Sequence, residues 1–147
     1  MRTPKTRIHP ETGKTLHRGK RELTVSYRGL TRTVVVTGWF PEDGSDGVMW
    51  RGDGDAADAA LAELKAEHAA RARALADRVA RKLAKASARK MTRKTLSLLL
   101  TGAPNSLAKY GRGDAAPSHP TLVLMSLLDK HPELLAEIQA LADPVAA

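Results

Sequence analysis

A chain of 147 residues is long enough for one domain of ordinary size or for two small ones. The net charge of +8 favours a polyanionic partner such as nucleic acid, and the absence of cysteine excludes disulfides and a cysteine-based zinc site. No stretch approaches the roughly eighteen apolar residues of a membrane span, and the N-terminus lacks the apolar part of an export signal. We therefore expect a soluble, cytoplasmic protein with no membrane partner.

The first 21 residues carry seven basic side chains against a single glutamate, with Pro4, Pro10 and Gly13 breaking any helix. This composition predicts a flexible basic arm, residues 1–21. Two interpretations stay open: the arm lies along phosphates, where neutralised phosphates release counterions, or it is a solvated tail. His9 and His17 have no second ligand set at metal spacing, so we expect no metal site and no cofactor.

Residues 22–38 alternate with a period of two and are rich in β-branched side chains, which predicts a β-hairpin. Arg28-Gly29 supplies a two-residue turn, because glycine tolerates positive φ. Residues 39–41 are expected to leave the hairpin, and residues 48–50 to return as a short third strand after an acidic, glycine-rich loop. We assign residues 22–54 to a small β-rich domain. Trp39, Phe40 and Trp50 are expected to form its core, in preference to the alternative of a partner-binding patch.

A helical pattern without glycine or proline begins at Asp55, which can cap it, and continues through Ser87. It predicts either one long helix or two helices that break near residues 68–73, and we treat residues 55–91 as a connecting basic segment. Its second half is strongly basic and contains Asp77 as its one acid. Because this run leads directly into the next motif, phosphate contact is favoured over a solvated face.

The stretch TRKTLSLLLTGAPNSLAKYGRG, residues 92–113, matches a helix-turn-helix. Thr92 can cap a helix through Leu100, and a short break containing glycine follows. Pro104 suits the first position of the next helix, which should run to about Tyr110. In a helix-turn-helix the second helix enters the major groove of DNA.

Asn105 and Lys109 lie four residues apart on that second helix, so they should project from one face. Asparagine can bond bidentately with adenine and lysine can reach guanine acceptors, so the face is chemically suited to bases. The alternative is an ordinary surface helix. The expected base contacts are Asn105, Ser106 and Lys109. The expected phosphate contacts are Thr92, Arg93, Lys94, Arg81, Lys85, Arg89, Lys90 and Arg112.

After Gly113, a loop with two prolines leads to a helix that should start near Pro120. The break at residues 131–132 separates it from a final helix. Their leucines exceed the needs of a small three-helix module, so they either close a five-helix domain or form a dimer seam. We assign residues 92–147 to an all-helical DNA-binding domain, which makes the whole chain an α+β protein with its small sheet at the N-terminus.

The sequence TGAPNSLAKYGRGDAAPS, followed by LLDKHPELL, resembles the C-terminal domain of the MqsA-type antitoxins, within the XRE-like helix-turn-helix class. The resemblance implies that Asn105 and Lys109 correspond to the family's base-contacting pair, and that this domain dimerises. The chain departs from the family pattern at Gly111, where Glu is usual, and at Arg93, where Gln is frequent.

Residues 11–13 and the stretch GWFPEDGSDGV are similar to an N-terminal region of some MqsA-like proteins. Members with zinc hold this region together with cysteines, which this chain lacks. In the family this domain binds the toxin, so the resemblance implies an RNA-cleaving protein toxin as a partner.

These features predict a sequence-specific DNA-binding repressor, antitoxin-like, that binds a palindromic operator in double-stranded DNA as a homodimer. Two alternatives stay open: a solitary regulator of a phage or mobile element without a toxin, and a non-specific RNA- or nucleoid-binding protein. An enzyme is not expected, because the sequence shows no nucleophile beside a base, no phosphate loop and no metal ligand set.

Overall fold

The computed structural model describes residues 5–87, 91–142 and 145. A three-stranded sheet is followed by helices, which confirms the predicted α+β class. The chain divides into two compact units, Met1–His68 and Ala69–Ala147, which we call the first and second units. Among the described residues, no helix is both long and apolar enough to cross a membrane.

The first unit contains an antiparallel sheet whose strands lie side by side in chain order: β1 (Thr6–Ile8), β2 (Thr15–Tyr27) and β3 (Leu30–Pro41). The predicted hairpin is confirmed. Arg28 and Gly29 form its turn with φ values of 46° and 84°, and a type I′ turn requires positive φ at both positions. The register pairs Tyr27 with Leu30 next to the turn.

The sheet extends further than predicted in both directions. Residues 6–8 and 15–21, assigned to a flexible arm, lie in β1 and β2, and residues 39–41 continue β3 instead of leaving it. The arm prediction is wrong there because β3 provides a full-length partner for β2, which satisfies the backbone groups of residues 15–21. Residues 1–4 lie outside the described residues. Val48 forms a single bridge to Trp39, so β1, and not residues 48–50, is the third strand.

Helix α1 (Asp55–Ala86) is one helix, which decides between the two forms that its sequence allowed. In the first unit, Tyr27 meets His68 edge-on with ring centroids 5.5 Å apart, and Arg32 pairs with Glu63. The buried apolar residues here are Leu16, Val36, Trp39, Ala60 and Leu64. Trp50, expected in this core, is exposed.

The second unit is helical: α2 (Arg93–Thr101), α3 (Ser106–Arg112), α4 (His119–Lys130), a 3-10 turn (Pro132–Leu134) and α5 (Leu135–Ala140). Val79 and Leu83 of α1 are fully buried in its core. Met125, Leu128 and Leu135 join them, so part of the leucine surplus closes this core. The other buried members are Ala76, Ala80, Leu96, Leu100, Leu107 and Tyr110.

Candidate nucleic-acid interface

Helix α2 begins as its sequence predicts and extends one residue beyond the predicted Leu100. The Thr92 hydroxyl accepts a hydrogen bond from the Thr95 backbone N–H at 3.2 Å, which caps the first turn. The helix ends at Gly102, whose φ of 76° is left-handed and whose N–H donates to the Leu98 carbonyl at 2.9 Å. The first helix of the predicted motif is therefore present with the expected cap.

The turn between α2 and α3 is held by side-chain hydroxyls. Thr101 Oγ1 donates to the Ser97 carbonyl at 2.8 Å, accepts from the Ala103 N–H at 3.2 Å, and bonds the Ser106 hydroxyl at 2.5 Å. Ser106 is buried, and its hydroxyl also reaches the Ala103 carbonyl. We predicted Ser106 as a base contact. Its position contradicts that role, because its hydroxyl is engaged inside the turn.

Helix α3 starts at Ser106, two residues later than predicted, and ends where Gly113 adopts a φ of 79°. Leu107 and Tyr110 are buried and anchor its inner face. Asn105 occupies the N-cap position, immediately before the first helical residue. The helix is therefore short and held by two large side chains.

The outer face of α3 brings Asn105 and Lys109 together. Both are exposed, and the Lys109 N–H donates to the Asn105 carbonyl at 3.0 Å, so the two residues lie one turn apart. The Asn105 side chain makes no capping hydrogen bond. Arg112 is also exposed, and its Nε bonds Asp114 Oδ2 at 2.8 Å. An exposed amide and an exposed ammonium group one helical turn apart have the chemistry to bond base edges.

Ser97 was not predicted as part of this site. It is buried in α2, and its Oγ accepts a hydrogen bond from the Leu107 backbone N–H of α3 at 3.1 Å. The signal in the sequence is a small polar residue inside the apolar run LSLLL. Its partner is ten residues further on, beyond the range of helical periodicity.

Apart from Arg112, the predicted phosphate-contacting residues that the structure describes fall into two groups. Thr92, Arg93 and Lys94 are exposed at the N-terminus of α2. Arg81 and Lys85 are exposed on the side of α1 opposite Val79 and Leu83. Arg89 and Lys90 lie outside the described residues.

Helix α1 passes close to α3 at two glycines. A β-carbon built on Gly111 would lie 3.1 Å from Asp77 Oδ1, and one built on Gly113 would lie 3.3 Å from Arg73 Nη1. Arg73 is exposed, and among the described residues it makes no hydrogen bond or ion pair. The sequence placed Arg73 in the basic run but did not indicate that it lies beside the end of α3.

Positive charge is concentrated in the second unit. Residues 69–147 contain 13 Lys and Arg and 6 Asp and Glu, which gives +7 of the chain's +8. Asp129 pairs with Lys82 at 2.9 Å and Arg78 at 3.5 Å, and the hydrogen bond from Lys82 is the main reason that the pKa of Asp129 lies below its ordinary value. Among the described residues, no three His, Asp or Glu side chains cluster as metal ligands would.

The comparisons with known proteins agree with the resemblance read from the sequence. The model of a family described as the antitoxin component of bacterial toxin-antitoxin system, MqsA, matches residues 9–139. The chain is also similar to antitoxin MqsA of Escherichia coli (strain K12), with 43% identity over 49 residues. That match covers 33% of this chain and 37% of the relative's own length. The predicted resemblance is thereby confirmed.

Proposed function

The chain belongs to the MqsA antitoxin family, and we propose that it is a repressor that reads a palindromic operator as a dimer. One observation carries the proposal: Asn105 and Lys109 stand exposed on the outer face of α3. The preceding helix and turn are those of a helix-turn-helix, whose second helix enters the major groove. We assign DNA binding to residues 92–147 and base reading to Asn105 and Lys109.

Phosphate contacts set the register of such a protein on the duplex, and sequence comes from the base contacts. The excess positive charge of the second unit supports this division, because phosphates attract cations whatever the base sequence. Arg93 and Lys94 are exposed in the first turn of α2, and helix N-termini suit phosphate oxygens. We assign phosphate contact to Thr92, Arg93, Lys94, Arg81, Lys85, Arg112, Arg89 and Lys90.

Dimerisation is supported by apolar side chains that the second unit leaves exposed: Leu98, Val123, Leu127 and Leu141. A two-fold dimer would place two copies of α3 about one DNA turn apart, roughly 34 Å, to read matching half-sites. Light scattering of the purified protein tests this. Leu127 lies in α4 and Leu141 directly follows α5, so whichever of Leu127→Glu and Leu141→Glu becomes monomeric identifies the seam.

Toxin binding is assigned to the β-rich N-terminal region, residues 22–54, with residues 55–91 connecting it to the DNA-binding region. Support comes from family membership and from β3, an edge strand in which residue Val35 is 56% exposed. Edge strands offer unpaired backbone groups to partner chains. If a small toxin gene adjoins this one, its purified product should bind the native chain and bind Val35→Lys more weakly. A gene with no such neighbour would indicate a solitary regulator.

The test of DNA binding is a fluorescence-anisotropy titration on the DNA upstream of the gene and on a scrambled duplex, at two salt concentrations. An operator reader prefers its own DNA by about a thousandfold or more, and keeps that preference at the higher salt. Equal binding to both duplexes that collapses with salt would instead identify a non-specific RNA- or nucleoid-binding protein.

A further inference from the structure

Asn105 occupies a position where an asparagine side chain normally caps a helix. It is the N-cap residue of α3, and asparagine is among the residues most favoured there, because its side-chain oxygen accepts from the free N–H groups of the first turn. In this chain the Asn105 side chain makes no such bond and is exposed. The start of α3 is therefore not capped by its own N-cap side chain.

The start of α3 is instead capped by the hydroxyl of Ser97 on α2. Ser97 and Leu107 are each only 1% exposed, and the Leu107 N–H, two positions beyond the N-cap, donates to Ser97 Oγ at 3.1 Å. A buried backbone N–H without an acceptor is costly, so this bond meets a requirement that water cannot meet. The capping bond of α3 comes from a neighbouring helix.

We propose that Ser97 is a positioning residue that caps α3 from α2 and so leaves the Asn105 amide free to bond a base. This inference rests on the proposed DNA-binding function. Without the Ser97 hydroxyl, the Leu107 N–H loses its acceptor, and the Asn105 side chain is placed to replace it. An Asn105 amide turned inward to cap α3 is withdrawn from the exposed face.

A stability cycle compares the thermal midpoints of the native protein, Ser97→Ala, Asn105→Ala and the double variant. It tests, without DNA, the capping exchange in which the Asn105 side chain replaces the Ser97 hydroxyl. Asn105→Ala alone should change the thermal midpoint of the second unit by less than about 1 °C, because no capping bond is lost. In a Ser97→Ala background, the same change should lower the midpoint by a further ~4 °C. Equal effects of Asn105→Ala in both backgrounds overturn the proposal. A large effect in the native background also overturns it, and that measurement does not depend on whether Ser97→Ala folds.

The same four proteins test the consequence for DNA. Ser97→Ala should reduce the preference for operator over scrambled DNA about tenfold, and Asn105→Ala should add little to that loss. Ser97→Thr keeps the hydroxyl and should restore most of the preference. If Ser97→Ala lowers the midpoint but leaves the preference intact, Ser97 is structural only and the proposal fails. If Asn105→Ala in the native background leaves the preference unchanged, the base-reading function fails, whereas the stability cycle still decides the capping exchange.

Discussion

The Arg73 guanidinium lies close to Gly113, the residue that ends α3. A β-carbon added to Gly113 would lie 3.3 Å from Arg73 Nη1. Gly113 has a φ of 79°, which other residues rarely adopt, so the backbone conformation and the close approach both favour glycine. Arg73 thus lies at the C-terminal end of α3, where the helix dipole favours a cation. Among the described residues no carboxylate pairs with it.

We therefore expect Arg73 to contact a phosphate beside the recognition helix. Arg73→Gln should lower the slope of log affinity against log salt by about 0.9, and weaken operator and scrambled DNA alike. Anisotropy titrations over several salt concentrations measure the slope. Arg78→Gln is the matched control, because Arg78 already pairs with Asp129 and should leave the slope unchanged. An unchanged slope in Arg73→Gln would contradict the assignment.

The stability of the first unit should depend on Asp53. Its carboxylate accepts from Arg18 at 2.8 and 2.6 Å and from the Trp50 N–H at 2.8 Å, and these bonds, that of Arg18 first, lower the pKa of Asp53 to about 2. Because the folded pKa lies below the unfolded value, near 3.8, the stabilisation is present above that value and is lost as pH falls towards 2.

The chain has two tryptophans, Trp39 and Trp50, both in the first unit, so tryptophan fluorescence reports its unfolding. Asp53→Asn should lower the thermal midpoint of the first unit at neutral pH. Below about pH 4 the midpoint of this variant should fall less steeply with pH than that of the native protein. Asp46→Asn makes the same charge change at an exposed loop position and should follow the native profile. Parallel profiles for native protein and Asp53→Asn would show that the pair does not stabilise this unit.

The loop at residues 41–45 is held by two cationic side chains, Arg21 and Lys14. Arg21 donates to the carbonyls of Pro41 and Ser45 at 3.1 and 2.8 Å and covers the Phe40 ring at 4.3 Å. Lys14 pairs with Asp43 at 2.7 Å, and the hydrogen bond from Lys14 is the largest of the causes that hold the pKa of Asp43 well below its usual range.

A chelator should therefore leave the thermal midpoint of the first unit unchanged, whereas Arg21→Ala should destabilise it by about 1 kcal/mol. Lys20→Ala, the neighbouring exposed cation, is the control and should have little effect. Tryptophan fluorescence during heating, with and without the chelator, provides both measurements. A midpoint that falls on chelation would mean that a bound metal, and not these side chains, closes the loop.

Local chemistry made much of the fold predictable from the sequence. The Thr92 cap, the Arg28-Gly29 turn and the one-turn spacing of Asn105 and Lys109 depend on residues at most four apart in the chain. Side chains can be placed over that distance by helical and strand periods. The basic run likewise required only a count of charges.

The features that could not be predicted from the sequence depend on contacts with residues outside the local pattern. Residues 15–21 look like a solvated arm until β3 pairs with them across the sheet. Ser106 has the spacing of a base contact, but Thr101 bonds its hydroxyl inside the turn. The sequence does not distinguish Arg73 from the other cations of the basic run, whereas the structure places it beside Gly113 at the end of α3. In each case a tertiary contact decides between roles that the local pattern leaves equal.

Base reading by Asn105 is tested most directly by measuring the affinities of the native protein and of Asn105→Ala for a panel of operator duplexes, each carrying one substituted base pair. The native protein should lose about 1–3 kcal/mol at an A·T pair in each half-site, and Asn105→Ala should lose its discrimination at that pair alone. Lys85→Ala, which removes a proposed phosphate contact, should weaken every duplex in proportion. If Asn105→Ala also weakens all duplexes equally and keeps the native pattern of discrimination, Asn105 does not read a base and the central claim is wrong.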